Sequence, residues 1–378
     1  MQRFIKIIYL LIFTTILMNS KLYSQLPKLH KPFKIEAGGK VIELVGSGHA
    51  APFIFDFDGD GKKDLILGEY DAPMSKELQK KYDAMSDKEK RNFKKPFGGK
   101  ARIYINKGSD ANPVFDEYTY LQAGGTDASV ESVCCIGFDP FFVDLDGDGV
   151  RDVTTGEFNS GYIHFFKGIK ERPFEFEAPV DIVQPDTVFL SKNSMVKNMR
   201  TANFIDFNGN GVFDMIWGNV KGEVYLSRNI GTKYDYKFAN SVQLTVNGEN
   251  ITTDGKSDPI PVDWDNDGII DLLVGTESGD VLFFKGKKRG ETNFEPGISI
   301  WTNRVYTPGE KVSYFEIKKS LDALGEERPY PNSCYRVRLA VTDWNNDGKI
   351  DLIVGTTYVY KEDGKNDISG NVYVFLQR

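Results

Sequence analysis

A short aspartate-rich segment recurs five times along this 378-residue chain, and each copy has the form D-x-[DN]-x-[DN]-G-x-x-D, an apolar triplet (least apolar in the second copy, Val153-Thr154-Thr155) and a glycine. The copies run Asp56–Gly68, Asp144–Gly156, Asp206–Gly218, Asp263–Gly275 and Asp343–Gly355. Their starts lie 88, 62, 57 and 80 residues apart, so a unit of about sixty residues repeats and two units carry insertions. Such self-similarity restricts the chain to architectures built by stacking one supersecondary unit.

The oxygen-bearing residues stand at positions one, three, five and nine of each loop. They are Asp56, Asp58, Asp60 and Asp64; Asp144, Asp146, Asp148 and Asp152; and Asp206, Asn208, Asn210 and Asp214. The last two sets are Asp263, Asp265, Asp267 and Asp271, then Asp343, Asn345, Asp347 and Asp351. Side chains at this spacing are expected to converge on one point, with the position-seven carbonyl as a further ligand. The invariant glycine at position six permits the sharp turn. Hard oxygen donors in that number suit Ca²⁺ rather than zinc or copper. An EF-hand needs a glutamate at position twelve, where this chain has Leu67, Thr155, Trp217, Val274 and Val354. The first, second and fourth loops carry four carboxylates, the fifth three and the third two, so the third site is expected to be the weakest of up to five.

The five segments resemble the FG-GAP/VCBS-type repeats of calcium-binding β-propellers, over residues 30–378. Around each loop the same strands recur. A short apolar strand precedes the loop, the apolar triplet follows it, and then come a third strand and a fourth that bears phenylalanine. The fourth strands are expected at Val114–Leu121, Phe174–Val183, Tyr236–Leu244 and Asn293–Ile300. Four strands per unit make a propeller blade. The fifth unit lacks its fourth strand, and Lys31–Gly39 reads as the missing piece, sharing Ala-Gly-Gly with Ala123-Gly124-Gly125. The expected fold is therefore all-β: a five-bladed β-propeller of four-stranded blades closed by the N-terminal strand. Six or seven blades with degenerate units is the alternative.

Residues 1–24 read as an export signal, with Arg3 and Lys6 ahead of the apolar run Ile7–Met18. That run is short for a bilayer span, so no permanent membrane anchor is expected. Residues 25–378 form one domain in this reading, secreted or periplasmic, monomeric, and with no sorting domain after the last strand. Removing Arg3, Lys6 and Lys21 with the signal takes the net charge from −7 to −10, and such acidity argues against a nucleic-acid partner.

In a four-stranded meander the aspartate loops fall on one face and the long insertions, residues 69–99, 301–335 and 356–369, on the other. The pattern Ser86-Asp87-Lys88-Glu89 opens a helix expected to reach about Lys94. Residues five to nine before each first loop aspartate are expected to ring the channel mouth on the insertion face. Their polar members are His49, Asp139, Lys197, Arg200, Lys256, Asp258, Arg336 and Arg338, with Tyr70, Tyr335 and Tyr358 nearby as stacking surfaces. A cationic majority suits an anionic or hydroxyl-rich ligand such as an acidic sugar; a rim of solvated salt bridges is the competing reading. The function expected is a binding module for an extracellular glycan or protein. The alternative is a polysaccharide lyase or hydrolase with His49, Tyr70 and Arg200 as its catalytic group. Asp139 and Asp258 would be the carboxylate pair of a hydrolase. Cys135 and Cys334 hold the same position in blades two and five and could pair near the axis, Cys134–Cys135 could instead form a vicinal bond, and the sequence leaves the pairing open. A soft-metal site of Met195, Met199 and His49 is a further reading.

Overall fold

The computed structural model describes residues 27–70, 76–86, 88–89, 98–131, 137–156, 162–170, 172, 174–182, 200–301, 335–362 and 365–378. The expected export signal, Lys197, Met195, Met199 and the three cysteines lie outside the described residues. Among the described residues the chain is all-β apart from a short helix, Lys76–Asp83, that the sequence pattern did not indicate, and helical residues 88–89; the rest of the helix expected to reach Lys94 lies outside the described residues. The capping box at Ser86 does form: Ser86 N–H donates to Glu89 Oε2 at 2.8 Å and Glu89 N–H to Ser86 Oγ at 3.4 Å.

Each aspartate loop joins the first two strands of an antiparallel sheet. Sheet 1 is Ala51–Phe55, Asp64–Glu69, Gly98–Tyr104 and Thr119–Tyr120, with Ser129–Glu131 on the far end of its third strand. Sheet 2 is Phe141–Val143, Asp152–Gly156, Ile163–Phe166 and Val180–Ile182. Sheet 3 is Arg200–Ile205, Asp214–Asn219, Val224–Ser227 and Val242–Gln243. Sheet 4 is Asp258–Val262, Asp271–Gly275, Val281–Phe284 and Ile298–Trp301. Sheet 5 is Tyr335–Thr342, Asp351–Glu362 and Val372–Phe375, and its next strand is Phe33–Lys34 from the other end of the chain. Phe33 there pairs with Val374.

The fourth strands are shorter than expected. Glu175–Phe176 leaves sheet 2 to pair in parallel with Gln122–Ala123, and Asn293–Phe294 pairs likewise with Thr245–Val246. The cause is a small hairpin that follows the fourth strand and reaches the neighbouring sheet. The shared Ala-Gly-Gly belongs to this hairpin rather than to a fourth strand: Gly38, Gly39, Gly124 and Gly125 all have φ between 56° and 80°, which turns the chain back. Ala37 then bridges to Phe115 as Ala123 pairs with Phe176.

The apolar triplets explain how the sheets stack. Side chains alternate along a strand, so Leu65 and Leu67 join one apolar cluster while Ile66 joins the next. The same division puts Leu352 and Val354 with sheet 4, and Ile353 with sheet 1. Leu272 and Val274 pack with sheet 3, and Met215 and Trp217 with sheet 2. Each sheet thus shares one cluster with the sheet on either side. The glycine closing each motif marks where backbones touch. A Cβ on Gly68 would sit 1.8 Å from Phe138 O, on Gly218 2.1 Å from Ser257 O, and on Gly355 1.9 Å from Ala50 O. No side chain is tolerated at that approach.

Candidate functional site

The first strands of all five sheets line a central cavity of about 210 Å³. Its wall is apolar, with Phe53, Phe141, Phe204 and Ile260, and its polar groups are Asp139, Asn203 and Asp258. The aspartate loops lie past the last residue of these strands, so the two ends of the cavity differ in chemistry.

At the loop end, backbone geometry repeats. Position six has φ between 82° and 87° in all five copies, and position four is a Gly or Asn that is also left-handed. The position-six N–H donates to Oδ2 of the first aspartate at 2.9–3.0 Å throughout. The position-nine aspartate, fully buried in each copy, ties the loop to the end of the third strand. Its Oδ1 accepts the N–H of Asn106, Gly168, Asn229, Gly286 or Gln377 at 2.7–3.0 Å. Its Oδ2 accepts the position-two N–H in four loops, and in the third loop it accepts Arg228 Nη1 instead. Burial pushes the Asp152 carboxyl up to about 6 and that of Asp271 up to about 7.

The convergence of oxygens is narrower than the spacing suggested. Positions one, three and nine come together in the first, second and fourth loops, with ligand atoms within 4.8 Å of one another. Position five stands apart, because Asp60, Asp148 and Asp267 turn their Oδ1 to the position-seven N–H and their Oδ2 to a lysine. Three carboxylates with hard oxygen donors fit a divalent cation. Asp144 Oδ1 and Asp265 Oδ1 are buried with no hydrogen-bond partner among the described residues, which a cation would supply.

At the other end the pattern is irregular and charged. Seven residues before the first loop aspartate stand His49, Lys256 and Arg336, with φ of 52°, 39° and 61°. These are left-handed conformations without a glycine, costing about 1 kcal/mol or more each. The turn is locked from the neighbouring sheet: His49 N–H donates to Thr357 Oγ1, Lys256 N–H to Val220 O, and Arg336 N–H to Glu277 O. Their side chains meet. Arg336 Nη1 lies 3.1 Å from His49 Nε2, and Arg336 Nε and Lys256 Nζ both donate to Glu277 Oε1, at 3.2 and 2.6 Å. The rings of His49 and Tyr70 are 5.1 Å apart. Burial first, then the charges of Arg336, Arg338 and Lys256, hold His49 well below the ordinary histidine range, so it is neutral.

Two residues further along each strand lies a second layer. Arg338 is 3% exposed; its Nε is 3.5 Å from Asp139 Oδ2, and its Nη1 and Nη2 have no hydrogen-bond partner among the described residues. Asp258 Oδ2 accepts Leu339 N–H at 2.8 Å, and burial followed by the Asp139 charge raises its carboxyl. Burial also raises Asp139, against the opposing charge of Arg338.

The expected mouth residues His49, Asp139, Lys256, Asp258, Arg336 and Arg338 are thus brought together, with Tyr70 against His49. Arg200 opens sheet 3 with its backbone opposite Asn219, its side chain outside the description, like those of Tyr335 and Tyr358. Glu277 was missed. Its signal was its place two residues past a motif glycine, where the next sheet's mouth turn lands. Among the described residues no helix is long and apolar enough to cross a membrane.

No curated protein matches the chain. A solved structure of an Agrocybe aegerita lectin, described for specific recognition of non-reducing terminal N-acetylglucosamine, shares 16% identity over 89% of this chain and 81% of its own, with a TM-score of 0.37. The FG-GAP-like repeat family matches residues 206–274, which hold the third and fourth aspartate loops. That stretch of the chain is similar to an FG-GAP-like repeat.

Proposed function

We propose that this chain is an exported, five-bladed β-propeller, closed by Phe33–Lys34, that binds an extracellular glycan or protein at the mouth of its central cavity. The N-terminal pairing with the last sheet and the clusters shared between successive sheets support that closure. Ca²⁺ is the cation that the convergent loop carboxylates suit, and it serves the scaffold, at the opposite end from the ligand.

The observation that carries the binding reading is Arg338. A buried guanidinium with two nitrogens unsatisfied among the described residues is costly, and an acceptor supplied by a ligand removes that cost. The cations above it, Lys256 and Arg336, are shared through one carboxylate, Glu277, leaving the mouth electropositive. A uronate or similar anionic sugar matches this set. Titration of oligogalacturonate or oligoglucuronate by calorimetry tests it: saturable binding that Arg338→Met removes is expected. Absence of binding across acidic oligosaccharides, or equal binding by the variant, contradicts it.

A second reading, a polysaccharide lyase, is favoured by the contact of neutral His49 with Tyr70. A neutral imidazole can take a proton, and a tyrosine against it can give one. Ultraviolet absorbance of an unsaturated uronate product, lost in His49→Gln, supports this reading; binding without product excludes it.

A further inference from the structure

The residue that follows the third strand differs between sheets in a way that bears on the aspartate loops. It is Ile105, Lys167, Arg228, Lys285 and Leu376 in sheets 1 to 5. Backbone placement is the same in each case, since the next residue along donates its N–H to the position-nine aspartate. Only the side chain changes. Lys167 Nζ rests on Asp146 Oδ2 and donates to Asp148 Oδ2 at 2.6 Å. Lys285 Nζ makes the same pair of contacts, with Asp265 Oδ2 and with Asp267 Oδ2 at 2.7 Å. Ile105 and Leu376 instead pack against the apolar clusters. In the first loop Lys62 donates to Asp60 at the exposed rim.

We propose that Lys167 and Lys285 are tethered cations that close the second and fourth loops, and that a divalent ion enters those loops only by displacing them. An ammonium on its own chain neutralises carboxylates without depending on free ion. Its single charge and three donors span positions three and five alone, and Asp144 Oδ1 and Asp265 Oδ1 stay without a donor among the described residues. A doubly charged ion that contacts all three carboxylates is therefore the stronger occupant, but it must first expel the lysine. The first loop has the same four carboxylates, and among the described residues no lysine bridges its positions three and five, Lys62 meeting position five alone at the rim, so it fills first. This ordering rests on the calcium reading above and departs from one based on carboxylate count, which makes the first, second and fourth loops equal.

Calcium titration of chelator-treated protein by calorimetry, on wild type and on Lys167→Met/Lys285→Met, tests the proposal. Wild type should show a tight and a weak class of sites, and the double variant should turn the weak class about tenfold tighter. Without calcium the variant should melt below wild type, because its loops then lack any cation. Ile105→Lys should do the converse, weakening the tight class. Identical isotherms for wild type and double variant, or identical melting in chelator, overturn the proposal. Absence of calcium uptake by both proteins, with the variant still less stable, upholds the tethered cations and sinks the calcium reading instead.

Discussion

The two ends of the central cavity are built on opposite plans. At the loop end one arrangement is copied five times, and left-handed backbone falls on Gly or Asn, where it costs little. At the mouth the same left-handed requirement falls on His49, Lys256 and Arg336, no two sheets contribute the same group, and Arg338 is buried with no partner for its terminal nitrogens among the described residues. Repetition with satisfied backbone marks scaffold. Irregularity with retained strain marks a surface kept for something other than folding.

The largest effect that would break this contrast comes from the loop end. Asp351→Ala strips the acceptor from Trp344 N–H and Gln377 N–H, both buried, and should cost about 4 kcal/mol in urea denaturation. Replacing the mouth pair together, Arg338→Met with Asp139→Asn, leaves no uncompensated buried charge and should stay within about 1 kcal/mol of wild type while abolishing ligand binding. A scaffold role for Arg338 would show as a loss like that of Asp351→Ala. Calcium at about a hundred times its dissociation constant should add about 2.7 kcal/mol per filled loop, raising the melting temperature without changing the mouth.

Smaller effects sharpen the contrast. Lys256→Gly should stabilise by about 0.5–1 kcal/mol through relief of its left-handed backbone, yet weaken binding, whereas Gly268→Ala should destabilise by a similar amount. The pH dependence separates further. His49 takes up its proton less readily folded than unfolded, so stability falls as pH drops below the ordinary histidine range. Asp258 is the reverse: its raised carboxyl adds stability at low pH that is lost as pH rises. His49→Gln should flatten the first slope alone, as followed by urea midpoints between pH 7 and 5.

The repeated end was largely legible from sequence because its chemistry sits in one contiguous motif: Asp at one and nine, Gly at six, an apolar triplet, and a glycine at a backbone contact. What spacing hid was that position five would bond position seven and a lysine, which in the second and fourth loops comes from beyond the third strand. The mouth was legible only as a register. Counting back from each loop found His49, Lys256 and Arg336, but not the partner Glu277, which comes from an adjacent sheet and carries no motif. The outer strands were read as too long because a strand that switches to a neighbouring hairpin keeps the composition of a single strand.

The division of labour between the two ends can be measured at once by hydrogen exchange on the protein with and without a saturating acidic oligosaccharide. New protection is expected at 47–51, 254–258 and 335–338, with exchange at Asp56–Asp64 and Asp263–Asp271 unchanged. Protection confined to those loops would contradict it.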